Sequence, residues 1–331
     1  MRLKLLAALL LLATPALAEA PPAPLPVGRI TVPGPQGGSG EAPVYLSADW
    51  SRPLPGITRA VIVQHGLSRD AIGYFNGGLR ARAAAGAAGA TTLIVAPRIL
   101  DTADIAALDA PADLLRWRHG DWAGGAAAQG PVPASSFSVF DAIIARLADR
   151  NLFPDLKQIV VAGHSAGGQI VQRYAAVRHP NPALAAEGIA LRFVIANPSS
   201  YLYFTPWRPE PVAGCPRFDD WKYGFAKGLP PYVQGSAASL EQRYWGLDIT
   251  YLYGTLDTNP NHSVLDKTCM AETQGPTRYA RGHAWFAHLH ALAGASLHQR
   301  MFDVPGVGHN GSRMFNSLCG LAALFGTAGC N

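Results

Sequence analysis

Charged residues are scarce in this chain, and it contains no long run of basic residues. Only 15% of its 331 residues are Asp, Glu, Lys or Arg, whereas 49% are hydrophobic. This balance excludes a disordered chain. No sequence repeat of about 20 to 50 residues is present, which excludes a solenoid. The net charge of +5 comes from scattered Arg and Lys residues, so the sequence predicts no nucleic-acid partner.

A long hydrophobic run is also missing. The apolar run at the N-terminus covers only Leu5 to Leu12, whereas a membrane-spanning helix needs about 20 residues. We therefore expect no stable membrane insertion. Arg2 and Lys4 precede the run, and Ala16-Leu17-Ala18 fits the small-x-small rule for signal cleavage. The sequence thus predicts a signal peptide over residues 1–18, cut after its last alanine, and a secreted or periplasmic protein.

Cysteine is equally scarce, with four residues in the chain. An exported chain meets an oxidising environment that favours disulfides, and four cysteines allow three pairings. We favour Cys319 with Cys330, which closes a short loop, and Cys215 with Cys269. Metal binding is the competing interpretation, but no Cys-x-x-Cys or His-x-x-x-His spacing supports it, and we expect no metal.

The rest of the chain alternates between strand-like and helix-length segments. Residues 19–43 hold seven Pro and five Gly, which predicts a tether with one short strand at Arg29–Val32. Later runs are apolar on both faces and rich in β-branched residues, as is typical of a mostly parallel sheet with helices on both sides. Counting Arg29–Val32 as the first, the second to eighth predicted strands are Val44–Ser47, Ala60–Gln64, Thr91–Ala96, Gln158–Ala162, Arg192–Ala196, Ile249–Tyr253 and Arg300–Val304. We expect one α/β domain over residues 44–331.

A segment of different composition follows the sixth predicted strand. Residues 201–245 hold 11 of the 30 aromatic residues of the chain. We interpret residues 199–247, approximately, as a cap inserted into the domain. Its aromatic side chains either line a substrate pocket or form the cap's own small core, and the sequence leaves both interpretations open.

A candidate nucleophile lies at the end of the fifth predicted strand. Gly163-His-Ser165-Ala-Gly167 matches the G-x-S-x-G pattern, and a helix-like segment follows it. In this pattern the serine occupies a sharp strand-to-helix turn, where side chains two residues away would clash. The following helix directs its N-terminus at the serine and favours developing negative charge. For the adjoining His164 we expect a local structural role.

A serine hydroxyl needs a base, and the base needs an orienting acid. Asp257 and His309 follow the last two predicted strands, in the chain order Ser, Asp, His that accompanies this pattern. Because parallel strands carry their sites at their carboxyl ends, we favour these two residues. Asp248 precedes its strand and Asp266 lies further into the loop. The competing histidines after Ser165 include His262, His283, His288, His290 and His298.

An oxyanion would be held by two backbone N–H groups. One belongs to Ala166, directly after the candidate nucleophile. The other comes from the loop after the third strand, and there Leu67 is the predicted donor, with Gly66 and Ser68 as near alternatives.

Together these motifs resemble the α/β-hydrolase-fold serine esterases from about Val44 to the C-terminus. The motifs that carry the resemblance are Gln64-His-Gly66, Gly163-His-Ser-Ala-Gly-Gly168, Gly254-Thr-Leu-Asp257 and Gly306-Val-Gly-His309. The His-Gly-Gly-Gly form of the oxyanion motif, seen in some esterases, is missing. The resemblance implies hydrolysis of carboxylic esters, small or polymeric, without a cofactor. A peptidase or acyltransferase with the same triad, or a non-catalytic binding module, is the alternative.

Four aromatic residues are the candidate substrate contacts in the sequence. Trp117 and Trp122 lie in a loop after the fourth strand, and Tyr201 and Trp207 lie in the predicted cap. Each could serve as an aromatic platform for a substrate, although packing within a loop or core explains such residues equally well.

Overall fold

The computed structural model describes residues 24–330, and the predicted signal peptide lies outside them. An eight-stranded sheet forms the centre, with strand order β1-β2-β4-β3-β5-β6-β7-β8. The strands are β1 (Gly28–Pro33), β2 (Ser39–Leu46), β3 (Arg59–Gln64), β4 (Thr92–Pro97), β5 (Gln158–His164), β6 (Ala190–Ala196), β7 (Asp248–Gly254) and β8 (Gln299–Val304). β1 and β2 run antiparallel to their neighbours, and all other pairs are parallel.

Helices cover both faces of this sheet. They are α1 (Ala71–Ala84), α2 (Thr102–Ala107), α3 (Ser136–Leu147), α4 (Ala166–Val177), α5 (Pro182–Ala186), α6 (Ala237–Trp245), α7 (Cys269–Glu272), α8 (Arg278–Ala293), α9 (Gly311–Phe315) and α10 (Leu318–Phe325). Short 3₁₀ helices lie at Gly86–Ala88, Asp121–Gly124 and Gly294–Ser296, and Leu100–Asp101 pairs with Arg116–Trp117 in a separate small sheet. This layered arrangement confirms the predicted α/β fold class.

Alternation along the strands divides the core into two layers. Val61 of β3 packs on one face with α1, α9 and α10, whereas Ile62 packs on the other with α3, α4 and α8. Side chains of successive strand residues point to opposite faces, and strands buried on both faces therefore read as continuous apolar runs. The two layers hold β5 rigidly in the centre of the sheet, and β5 leads directly to Ser165.

The short strand predicted at Arg29–Val32 is confirmed as part of β1. The rest of the second half of the predicted tether, residues 19–43, is wrong, because the longer β1 and most of β2 form the edge of the sheet there. Gly28 pairs with Val44, and the register continues to Pro33 opposite Ser39. Ile30 and Val32 are buried, whereas Thr31 between them and Pro33 after them are exposed. The alternation of buried and exposed side chains along this segment therefore favours a strand over an irregular tether. The prolines and glycines of residues 33–38 make the turn between the strands instead of a flexible segment.

The insertion follows β6, as predicted, and is mostly irregular apart from α6. Cys215 in the insertion is bonded to Cys269 beyond β7, and Cys319 is bonded to Cys330, which is the pairing that the sequence favoured. The first bond ties the insertion to the segment after Asp257. Within the described residues, no helix is long and apolar enough to cross a membrane.

Candidate active site

Ser165 lies on the turn between β5 and α4 in a backbone conformation that side-chain-bearing residues rarely adopt. Its φ is +60° and its ψ is −126°. A Cβ on Gly163 would clash with the carbonyl oxygen of Gly167, and a Cβ on Gly167 would clash with the carbonyl oxygen of Gln64. Both glycines are thus required by close backbone approach, which is the physical content of the G-x-S-x-G pattern.

The structure brings Ser165 together with the two residues that chain order predicted. His309 follows β8, and its Nε2 lies 2.9 Å from Ser165 Oγ. The other ring nitrogen, Nδ1, lies 2.7 Å from Oδ2 of Asp257, which follows β7. A carboxylate can only accept, so Nδ1 carries the proton and donates to Asp257. Nε2 is then free to accept the Ser165 hydroxyl proton.

Asp257 is itself held in place by a buried arginine. Its second oxygen, Oδ1, accepts a hydrogen bond of 3.3 Å from Nη1 of Arg278, and both side chains are almost completely buried. Arg278 belongs to the first turn of α8 and donates from Nε to Ser199 Oγ at 2.7 Å. Asp257 therefore keeps one oxygen for His309 and the other for Arg278, which fixes the orientation of its carboxylate plane.

The competing residues lie elsewhere or are engaged. Asp248, at the opposite end of β7, forms ion pairs with Arg192 and Arg300. His283 is bonded to Asp303, and His288 stacks on Trp207. Among these histidines, His262 comes near the site, with its ring centroid 5.1 Å from that of His309.

His164 is a buried neighbour of the site. Its Nδ1 lies 3.1 Å from the Tyr74 hydroxyl oxygen, and its ring lies 4.6 Å from the ring of His309, centroid to centroid. Burial lowers the pKa of His164 well below its ordinary value, and the nearby His309 adds to this effect. A neutral ring that packs under His309 fits the expected structural role.

The two residues predicted to supply oxyanion donors, Leu67 and Ala166, both lie on segments next to Ser165. Ala166 begins α4, and Leu67 follows β3 in a loop where Gly66 approaches the serine Cβ. Within residues 24–330, neither the Leu67 N–H nor the Ala166 N–H donates to another protein group. Free N–H groups at the start of a helix and in an adjoining loop can together hold a negatively charged oxygen.

His65 fixes the orientation of the peptide that carries the Leu67 N–H. The Ile99 N–H donates to His65 Nε2 at 3.0 Å, so the proton of the ring is on Nδ1, which donates to the Gly66 carbonyl at 2.8 Å. In a trans peptide the C=O and the following N–H point in opposite directions. Holding the Gly66 carbonyl therefore directs the Leu67 N–H the other way. Burial lowers the pKa of His65 to about 4, which keeps this ring neutral.

We expect His65→Gln to lower kcat for ester hydrolysis by about 10- to 100-fold, a part of the loss that follows removal of an oxyanion donor. Gln places its amide near Nε2 and removes one of the two hydrogen bonds to the Gly66 carbonyl, leaving the one from the Arg69 N–H at 3.1 Å. His65→Asn places an amide N–H near Nδ1 and should retain more activity. Steady-state kinetics checks both variants. An equal fall for the two, or a rise in KM alone, would contradict the positioning role.

A buried ion-pair network anchors the same loop, and sequence reasoning missed it. The Arg69 guanidinium donates to Asp104 at 2.6 and 3.1 Å and lies 3.1 Å from Asp101. Asp101 also caps α2. Arg69 is one of the few non-glycine residues with positive φ, at 57°. No local sequence pattern predicts this pairing, because Arg69 and its carboxylate partners are more than 30 residues apart in the chain.

Three of the four aromatic residues predicted to bind substrate lie in the core instead. Trp117, Trp122 and Tyr201 have at most 1% of their surface exposed. Tyr201 stacks on Trp285 of α8, with ring centroids 5.4 Å apart. Trp207 is 43% exposed but stacks on a histidine of α8 and lines neither cavity beside Ser165. For the three buried residues the expectation of substrate contact is wrong, because packing covers their apolar surfaces. For Trp207 it stays a prediction.

Two cavities lie beside Ser165. The first, of about 460 Å³, is lined by Ser165 itself, His309, Tyr74, Arg80 and Ser312, among others. We call it the histidine-side cavity. The second has a volume of about 320 Å³, and we call it the insertion-side cavity because residues of the insertion form part of its lining. Its lining includes Leu67, Ala166, Gln169, Ser199, Lys222, Tyr223, Val264 and Asp266.

The insertion borders the site rather than closing over it. It supplies Lys222 and Tyr223 to the insertion-side cavity and no residue to the histidine-side cavity. Its remaining aromatic residues, such as Phe204, pack with Tyr244 and Trp285. The interpretation of the segment as a small core is thus the better of the two. Among residues 24–330, no group of three or more His, Cys, Asp or Glu side chains is placed to hold a metal ion.

No family model matches the chain, and no curated protein matches it. Solved structures do resemble it. LpqC, a poly(3-hydroxybutyrate) depolymerase from Bordetella parapertussis, is 22% identical with a TM-score of 0.61, and the match covers 91% of each chain. Poly(aspartic acid) hydrolase-1 from Sphingomonas sp. KT-1 is 22% identical with a TM-score of 0.59, and the match covers 88% of this chain and 96% of that one.

These likenesses, with the sheet order and the site at the carboxyl ends of the parallel strands, define the fold. The chain has the α/β-hydrolase fold, as the sequence resemblance implied. The similarity is structural and does not by itself decide which bond the chain cleaves.

Proposed function

We propose that the chain is a serine hydrolase that cleaves carboxylic esters through an acyl-enzyme. One observation carries the proposal: His309 is hydrogen bonded at 2.9 Å to Ser165 Oγ and at 2.7 Å to Asp257. This arrangement joins a serine hydroxyl, a base and an orienting carboxylate, and the unpartnered N–H groups of Leu67 and Ala166 nearby are the proposed donors to the oxyanion.

In the proposed reaction, Ser165 Oγ attacks the ester carbonyl while His309 Nε2 takes its proton. The carbonyl oxygen becomes negative and is held by the N–H groups of Leu67 and Ala166. His309 then gives the proton to the leaving alcohol, which departs and leaves an acyl group on Ser165. A water molecule, with His309 again as base, releases the acid and restores the serine.

A series of p-nitrophenyl esters, from acetate to long acyl chains, tests this proposal together with a polymeric ester. We expect release of p-nitrophenol and a transient acyl group on Ser165, detected by mass spectrometry after rapid quenching. A purified, folded protein that cleaves none of these esters would refute the proposal.

Amide hydrolysis is the second candidate. It is favoured by the structural neighbour that acts on poly(aspartic acid), a polymer of an amino acid. A faster rate on peptide anilides than on esters of the same acyl group would promote a peptidase. Transfer of the acyl group to an added alcohol in preference to water would promote an acyltransferase.

The rate should depend on pH through His309, which must be neutral to act as a base. Burial lowers the pKa of His309 below its ordinary value of about 6.5. The hydrogen bond to Asp257 opposes this effect, and Arg278 and His262 add to it. We expect kcat/KM to rise with pH, with a midpoint below 6.5, and to level off near neutrality.

The variant His262→Gln provides a check on this cause. Removing His262 should move the midpoint upwards, because the electrostatic effect of His262 lowers the pKa of His309. A midpoint at or above 7 in the unmodified protein would contradict the lowered pKa of His309.

We also propose that the protein is exported. The two disulfides support this, because such bonds persist in oxidising compartments. N-terminal sequencing of the protein after expression in a bacterial host with an export pathway tests it, and the mature chain should begin at Glu19.

A further inference from the structure

We propose that the insertion-side cavity is a carboxylate-binding subsite in which Lys222 selects substrates whose acyl part ends in a negative charge. The inference rests on the proposed ester hydrolysis at Ser165, and it adds a substrate class to that function. No motif in the sequence pointed to Lys222.

Lys222 is a half-buried cation without an ionic partner. Its side chain packs against Gly124, with Cβ and Cδ each 3.4 Å from where a Cβ on that glycine would lie. It lines the wall between the insertion-side cavity and a neighbouring one. Asp266 and Asp121 are the carboxylates whose charges act on the Lys222 ammonium, and within the part of the chain that the structure describes neither forms an ion pair with it. A cation with little water and no partner is suited to bind an anion that enters the cavity.

Positive charge exceeds negative charge among the residues that line the insertion-side cavity and those directly bonded to them. Three buried arginines donate hydrogen bonds to residues that line the cavity: Arg173 to Gln169, Arg278 to Ser199 and Arg281 to the Asp266 carbonyl. Together with Lys222 they make four cations. The carboxylates that line the cavity or pair with these arginines are those of Asp257 and Asp266. Asp121 and Glu272 also act on Lys222 and Arg281, but each is offset by its own cation, Arg118 at 3.9 Å and Lys267 at 2.6 Å. Two positive charges therefore remain, and their field is weakly screened because the arginines are buried.

Asp266 does not turn the cavity into a site for cations. Its Oδ1 accepts hydrogen bonds from the N–H and the hydroxyl of Thr268, at 3.1 and 2.7 Å. Its Oδ2 accepts from the Tyr223 hydroxyl at 2.8 Å and from Ser200 at 3.3 Å. With both oxygens engaged, this carboxylate has little capacity left for a substrate ammonium group.

The proposed reaction determines which part of the substrate enters this cavity. His309 must reach the leaving oxygen to protonate it, so the alcohol part occupies the histidine-side cavity. The carbonyl oxygen lies between the N–H groups of Leu67 and Ala166, and both residues also line the insertion-side cavity. The acyl chain therefore extends towards Lys222.

The charge of Lys222 gives the subsite a pH signature. Burial lowers the pKa of Lys222 to about 8, and Arg173 adds to this effect, whereas Asp266 and Asp121 oppose it. The Tyr223 hydroxyl, next to Lys222 in the chain, is neutral in this range because burial raises its pKa to about 12. Selection for an anionic acyl chain should therefore weaken as the pH rises through about 8.

The test compares p-nitrophenyl esters of equal chain length that differ in one charge. The anionic esters are the monoesters of adipic, pimelic and suberic acid, and the neutral ones are the hexanoate, heptanoate and octanoate. The readout is the ratio of kcat/KM for the anionic ester to that for its neutral counterpart. We expect this ratio to exceed one and to peak at one chain length, that which reaches the Lys222 ammonium.

Three substitutions then assign the selectivity to one side chain. Lys222→Met should lower the ratio by about 10- to 100-fold, as expected for loss of a charged hydrogen bond. Lys222→Arg should keep most of it. Lys227→Met, which removes an exposed lysine of the same insertion away from the cavities, should leave the ratio as it is. A ratio that does not change in Lys222→Met would overturn the subsite while leaving ester hydrolysis intact.

A binding measurement distinguishes failure of the proposed ester hydrolysis from failure of the carboxylate subsite. If no ester is cleaved, the proposed function fails, and the subsite is judged by calorimetric binding of adipate alone. Weaker binding to Lys222→Met than to Lys227→Met would support the subsite. Equal binding to both variants would overturn it.

Discussion

Replacing Ser165 by alanine should lower kcat/KM for p-nitrophenyl butyrate by about 10⁴-fold or more. The residual rate would come from the N–H groups of Leu67 and Ala166, which can still stabilise a negative oxygen when water attacks directly. The fold should persist, because the Ser165 hydroxyl makes no hydrogen bond to the scaffold other than the one to His309. Initial rates and a thermal melt of the same preparation check both expectations.

The matched control is Ser296→Ala, at an exposed serine in the short helix that follows α8. This variant should retain the full rate. The sharper test is the pair Ser165→Ala and His309→Ala, alone and combined. Because the two side chains act as one unit, the double variant should be about as slow as either single variant. Losses that multiply would show that the residues act independently and would count against the proposed triad.

The position of Ser165, Asp257 and His309 could be predicted because each belongs to a local pattern with a physical cause. Buried parallel strands are continuous apolar runs, and their carboxyl ends meet at one edge of the sheet. A polar residue directly after such a run therefore lies at that edge. Glycines on either side of Ser165 added a second, independent constraint, since a Cβ at Gly163 would clash with backbone.

The full extent of the edge strands and the packing of the aromatic residues could not be predicted in the same way. Composition predicted a tether with one short strand at Arg29–Val32, whereas the structure has two paired edge strands, at Gly28–Pro33 and Ser39–Leu46. Tyr201 packs on Trp285, a partner 84 residues away in the chain, and no local pattern records that contact. The excess of buried cations near Lys222 likewise appears only when three arginines from distant segments are brought behind one wall.

Replacing Asp257 by asparagine should lower kcat by about 10⁴-fold through the proton position on His309. The reason lies in the second partner of this side chain. Arg278 can only donate, and its Nη1 lies 3.3 Å from Oδ1, so the amide oxygen of the new side chain would turn towards it. The NH₂ group would then face His309 Nδ1 and donate to it. That forces the histidine proton onto Nε2, where it blocks acceptance of the Ser165 proton.

The control for this variant is Asp248→Asn, at the other end of the same strand, where the carboxylate pairs with Arg192 and Arg300. It should retain the rate to within about twofold, because surface ion pairs contribute little. Asp257→Asn should also melt at a lower temperature, since Arg278 loses a buried charged partner. A comparable loss of rate in Asp266→Asn, with Asp257→Asn still active, would instead assign the orienting role to the neighbouring carboxylate.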